Sequence, residues 1–180
     1  MSEKPLGRKA YGKIPHFPGS RLGPGDHHVT DGQLRIATTQ ARKGDTVLVQ
    51  EKLDGSCCAV AKLDDGQIVA LGRAGYLASS SKYEMHHLFS QWFRMNIHRF
   101  VYLLRPGERA VGEWLAQAHG TRYILSHEPF VIFDIMLGET RALTGEVYRR
   151  CREQGFTNPS LLSVGNPRTI ADVMEMLRHG

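Results

Sequence analysis

The chain is poor in four things, and each shortage narrows what it can be. It has three cysteines in 180 residues. Cys57 and Cys58 are adjacent and Cys151 stands alone, which is neither a disulfide framework nor a zinc-ligand spacing, and the adjacent pair reads as small residues of a buried strand. It has no hydrophobic run near the length of about 20 residues that a membrane span needs. Its first residues, Met1-Ser2-Glu3-Lys4-Pro5, carry no apolar signal core. A cytoplasmic protein without a membrane partner is the expectation. Finally, no lysine follows Lys82, although both signs of charge continue to the end.

What is present is a globular composition, 41% hydrophobic and 23% charged, in a chain long enough for one domain with a sizeable core. The net charge is +5. Residues 1–50 hold eight basic side chains against four acidic ones, a balance that suits a polyanionic partner. An ordinary solvated surface explains the same charge almost as well. Residues 1–33 are punctuated by Gly and Pro, and read as an extended lead segment with no helical or alternating period. Residues 34–180 then form the domain proper. His27 and His28 are adjacent and lack the spacing of a metal-binding pair.

The rest of the chain is organised around Gln50-Glu51-Lys52-Leu53-Asp54-Gly55-Ser56. The β-branched run Thr46 to Val49 leads in, Ser56 to Leu63 leads out, and Asp54-Gly55 reads as turn chemistry between two strands. This places Lys52 at a strand end, where its side chain can enter a cleft. A lysine becomes a nucleophile when burial or neighbouring charge favours the neutral amine. The same four letters also fit a surface lysine beside a turn. Asp64-Asp65-Gly66 marks a hairpin returning through Gln67 to Leu71, with Arg73 just beyond. Ser79-Ser80-Ser81 signals a helix start. From Lys82 to Leu104 the apolar residues keep a helical period, with an aromatic stripe that reads as core. Strands are expected at 109–116, carrying Glu113, and at 129–137. There Phe133 and Asp134 should point to opposite faces, and the buried aspartate needs a partner. Helices are expected at 144–154 and 169–177, with a short strand at 161–164 between them.

Four segments in order resemble the motifs of the lysine-dependent nucleotidyltransferases, the family of ATP-dependent DNA ligases, RNA ligases and capping enzymes. They are Lys52-Leu53-Asp54-Gly55, Leu71-Gly72-Arg73-Ala74-Gly75, Ala110-Val111-Gly112-Glu113-Trp114 and Phe130-Val131-Ile132-Phe133-Asp134-Ile135. Order and gaps are similar to the RNA ligase branch, and Lys13 to Ser20 looks like the opening of some bacterial and phage RNA ligases. The resemblance implies an α+β fold of twisted antiparallel sheets with flanking helices, the ligase adenylation domain. It implies Lys52 as the residue that takes AMP from ATP, with Mg²⁺ neutralising phosphate charge. Gln50 or Glu51 would contact adenine, Arg73 and Glu113 would hold the ribose and phosphate, and Phe133 would stack on the base. Asp54 and Gly55 would complete the nucleotide site, and the implied partner is a nucleic-acid end, RNA before DNA. Metal ligands and oligomeric state are not specified. The family's later E-G-x-V and K-x-K motifs have no counterpart here. An incomplete ligase domain is therefore expected, the other readings being an inactive nucleotide- or RNA-binding module, a DNA ligase, or an unrelated α+β protein with a coincidental turn.

Overall fold

A computed structural model describes residues 4–40, 42–117 and 122–178. The chain divides into two units, one of residues 1–12 with 53–159, the other of residues 13–52 with 160–180.

The first unit is built on a five-stranded antiparallel sheet. Its strands are β2 (Ser56–Lys62), β3 (Ile68–Gly72), β4 (Glu108–Trp114), β5 (Phe130–Leu137) and β6 (Thr140–Arg141), in the order β3-β2-β4-β5-β6. The β2–β3 hairpin turns as its Asp-Gly pair requires: Gly66 has φ +87°, a conformation only glycine adopts cheaply, and Asp65 accepts from the Gln67 N–H at 2.9 Å. One face of the sheet is covered by α2 (Glu84–Leu103) and α3 (Thr144–Glu153). Phe89, Phe93 and Phe100 of α2 are buried against Phe130, Ile132 and Trp114 of the sheet, so the aromatic stripe is core. Gly112 is needed on this face, because a Cβ there would come within 2.5 Å of the Val131 carbonyl oxygen.

Local chemistry shifts some element ends. Ser79 and Ser80 belong to a single 3-10 turn, and α2 starts later with Tyr83 as an N-cap that makes no side-chain cap bond. Leu143, not Thr144, is the N-cap of α3, while Gly155 with φ +70° follows its end as a left-handed stop. Strand β6 was not legible beforehand, because two residues carry no period.

The second unit pairs β1 (Val47–Gln50) with β7 (Leu161–Gly165), antiparallel. It also contains α1 (Asp31–Thr38) and α4 (Ile170–Arg178). The lead segment is therefore not extended throughout 1–33. Thr30 caps α1 through a reciprocal box with Gln33, the S/T-x-x-Q signature that the surrounding glycines and prolines obscured. Thr169 and Asp172 exchange the equivalent bonds at the start of α4, each at 3.1 Å. No described helix is long and apolar enough to cross a membrane.

The ends of α2 and α3 are tied to β4 by a buried ion pair. Arg150 meets Glu108 at 2.5 Å and also donates to the Leu103 carbonyl, while Glu108 accepts from the Arg105 N–H at 2.8 Å. Burial alone would push the Glu108 carboxyl up, but these bonds outweigh it and hold the group below the usual carboxylate range. A depressed carboxyl stabilises the fold above its unfolded pKa, and that contribution is lost as pH falls through the folded value. Arg150→Ala leaves a buried carboxylate unpaired and should cost about 3–5 kcal/mol in urea unfolding at neutral pH. The loss should shrink towards acid pH. Arg149→Ala, which removes an exposed arginine from Glu146 and Glu153, should leave the midpoint nearly unchanged.

Candidate nucleotide-binding residues

The sheet face not covered by helices carries most of the candidate residues of the first unit. Cys57 stands opposite Glu113 in the β2–β4 register, so the two share a face. Glu113 Oε1 accepts from the Gly55 N–H at 3.0 Å, so the acidic strand residue holds the loop that enters β2. Gly55 is required here for close approach and not for a positive φ. A Cβ would lie 2.5 Å from the Trp114 carbonyl oxygen and 2.9 Å from a Leu115 methyl. Asp54 is exposed and its N–H donates to Tyr123 Oη at 2.8 Å. The Asp54-Gly55 pair, read as a turn between two strands, has only a bend at Gly55 and no positive φ.

Phe133 and Asp134 do not point to opposite faces. The β4–β5 register skips Phe133: Gly112 pairs with Ile132, and Val111 with Asp134. This bulge turns both side chains to the same side, where both meet Tyr11. The Tyr11 and Phe133 rings pack edge to face with centroids 5.3 Å apart, and Tyr11 Oη donates to Asp134 Oδ2 at 2.5 Å. Arg141 completes the group, its Nε 3.1 Å from Asp134 Oδ2 and its Nη2 donating to Tyr11 Oη at 3.0 Å. The strand aspartate therefore has its partners, and Phe133 is half-buried with a ring that packs rather than floats.

Tyr11 belongs to a strap, residues 10–12, that also organises Arg73. The Arg73 carbonyl accepts from the N–H groups of Ala10 and Tyr11, and Arg73 Nη2 donates to the Gly12 carbonyl at 2.8 Å. Gly75, with φ +90°, lets the strap pass: a Cβ there would lie 2.1 Å from the Arg8 carbonyl oxygen. Buried Arg109 of β4 donates from Nε to the Ala10 carbonyl at 2.7 Å. Arg73, Phe133 and Asp134 are thus joined through one strap. Tyr11 escaped the sequence reading, because a lone tyrosine among glycines and prolines carries no periodic or motif signal.

In the second unit, Glu51 is committed to structure. Its N–H donates to the Ser160 carbonyl at 3.0 Å, and its Oε1 accepts from the Ser160 N–H at 2.8 Å and hydroxyl at 3.0 Å. Gln50 is half-buried at the end of β1, where the register with β7 shifts. Lys52 follows Glu51 and is exposed.

Burial raises the Tyr11 phenol far above its ordinary range, and its bond to Asp134 adds to this. Burial also raises the Asp134 carboxyl, against the lowering effects of the Tyr11 hydroxyl, Arg141 and Arg109. Tyr11→Phe keeps the ring on Phe133 and removes the donor. It should cost about 1.5–3 kcal/mol in chemical unfolding, and should raise the Asp134 pKa further in a carboxyl NMR titration. An unchanged titration would show that the hydroxyl does not set the carboxylate.

The comparisons with known proteins bear on this arrangement. No curated protein matches the chain. Among solved structures, an archaeal ATP-dependent RNA ligase superposes with TM-score 0.54 at 21% identity, covering 83% of this chain and 38% of that one. A Naegleria gruberi RNA ligase variant solved with ATP and manganese gives TM-score 0.59 at 19% identity, covering 79% and 42%. An apo variant of the same Naegleria enzyme gives 0.58 at 20%, covering 81% and 43%. The likeness shows a shared mixed α+β fold with antiparallel sheets, and the chain spans about two fifths of the length of these ligases. Residues 45–177 match the RNA ligase family. That stretch includes Lys52, Arg73, Glu113 and Phe133, and by this match the chain belongs to the RNA ligase family.

Proposed function

We propose that this chain supplies the lysine-bearing front part of an ATP-dependent RNA ligase. The observation that carries the reading is the family match over residues 45–177, with Lys52-Leu53-Asp54-Gly55 at its start. In this reading the neutral Lys52 amine attacks the α-phosphorus of ATP. An N–P bond forms, the bond to the bridging oxygen breaks, and pyrophosphate leaves. AMP passes from Lys52 Nζ to the 5′-phosphate of an RNA end, restoring the amine. A 3′-hydroxyl then attacks that phosphate and AMP departs, leaving a phosphodiester.

The residues of this chain take the following parts in the proposal. Phe133 stacks on adenine, its ring steadied by Tyr11. Arg73 and Glu113 hold the ribose and phosphate region, Glu113 through the same carboxylate that fixes Gly55. Asp54 and Gly55 shape the loop after the nucleophile. Gln50 or Glu51 contacts adenine, the Glu51 carboxylate also holding Ser160. Among the described residues no three His, Cys, Asp or Glu side chains are grouped to hold a metal ion. Mg²⁺ is assigned to the incoming nucleotide, where it would screen phosphate charge. Residues 34–180 are assigned to the adenylation domain, residues 1–33 to a lead segment, and the protein to the cytoplasm.

A second reading, an inactive nucleotide- or RNA-binding module, is favoured by one observation: residues 83–180 contain no lysine, so the K-x-K phosphate contacts of the family are not among them. One assay separates the two. Incubation with α-labelled ATP should place acid-sensitive, denaturation-resistant AMP on the wild-type chain and none on Lys52→Ala. Label surviving in Lys52→Ala would mean that another nucleophile was used, and no label on either would favour the inactive module. The 180-residue chain alone should adenylylate slowly and seal no RNA, since each missing electrostatic contact in a transfer site costs about 10²–10³ in rate. Efficient sealing would point to Arg141, Arg149 and Arg152 as the phosphate-binding groups, Arg150 being buried against Glu108.

A further inference from the structure

The turn that carries Arg73 also walls a second feature. Gly72 and Ala74 line a cavity of about 240 Å³ together with Ser81, Lys82, Tyr83 and His86. The site is built and not a loose loop. Ser81 Oγ accepts from the Tyr83 N–H at 3.2 Å and lies 2.7 Å from His86 Nδ1, and the Tyr83 and His86 rings pack edge to face. Gly72 keeps room for the imidazole, since a Cβ there would come within 3.0 Å of His86 Cε1.

Two aromatic rings at this cavity are turned to solvent, Tyr76 at 43% exposure and Tyr83 at 53%. Each has an ammonium over its ring, which an arriving base displaces towards the phosphates: Lys4 Nζ lies 4.9 Å from the Tyr76 ring centre, and Lys82 Nζ 5.2 Å from that of Tyr83. No acidic side chain lines the cavity. Exposed rings paired with cations, with hydroxyls and an imidazole between them, match one class of ligand. Bases stack on the ring faces and the phosphates between them meet the cations. A duplex keeps its base faces occupied by its own stacking, so the rings favour a single strand.

We propose that this cavity and its tyrosine rim bind the single-stranded end of an RNA beside the Arg73 turn. The choice of RNA rests on the ligase reading above; the choice of a single strand rests on the rings and charges. The test is fluorescence anisotropy with a short, 5′-phosphorylated, fluorescein-labelled oligoribonucleotide, titrated with the full chain over a range of salt. Tyr76→Leu and Tyr83→Leu should each weaken binding about fivefold to a hundredfold, while Tyr76→Phe and Tyr83→Phe should bind like wild type. Lys82→Gln should flatten the log–log salt slope by about 0.7. Tyr102→Ala, on α2 at 76% exposure and outside the cavity lining, should change nothing. No binding by wild type, or affinity that both leucine variants retain, would overturn the proposal. So would a preference for the matching duplex. Labelling of the wild-type chain by α-labelled ATP is measured in parallel. Labelling with tyrosine-independent RNA affinity removes this surface and leaves the ligase reading. Tyrosine-dependent RNA affinity without labelling supports the surface and removes the ligase reading.

Discussion

The bond from the Tyr11 hydroxyl to Asp134 is the contact on which the open face of the sheet depends. Asp134 sits half-buried on a strand of Phe, Val and Ile, where an unpartnered carboxylate is costly. The bulge at Phe133 turns it towards the strap, and Tyr11 and Arg141 meet it there. The same strap gives a carbonyl to buried Arg109 and two N–H groups to Arg73. Three polar demands of the sheet are therefore met by three consecutive residues far away in sequence. The arrangement leaves the Phe133 ring packed edge to face with that of Tyr11.

The two faces of the five-stranded sheet divide the work. The face under α2 and α3 is filled by aromatic and aliphatic side chains and locked at one end by Glu108 and Arg150. It can be close-packed because nothing has to enter it. The other face has a small-residue floor of Ala59 and Ala61 with Val69 and Leu71, and carries Cys57, Glu113, Phe133 and Asp134 above it. Small floor residues allow the strap and the half-buried groups to lie close to the strands. In the second unit the constraint is different. Glu51 is fixed by Ser160 at the end of the β1–β7 pair, one residue before Lys52. The backbone preceding the candidate nucleophile is thus held by a carboxylate that the motif alone would have assigned to a ligand.

Much of this protein was determined by its sequence alone. Alternation and β-branching marked the main strands, the 3.6-residue period marked α2, and Asp65-Gly66 set a hairpin that its φ requires, because these signals are local and act over a few residues. The order of Lys52, Arg73, Glu113 and Phe133 was enough to point to the RNA ligase family. Only the tertiary structure decided the rest. Phe133 and Asp134 share a face because the register against β4 slips by one residue, and register is a property of two strands, not one. Gly55 is glycine because the Trp114 carbonyl lies where a Cβ would be. Tyr11 matters because a residue more than a hundred positions away needs its hydroxyl. Each of these is a contact between segments distant along the chain, and no window of sequence contains both partners.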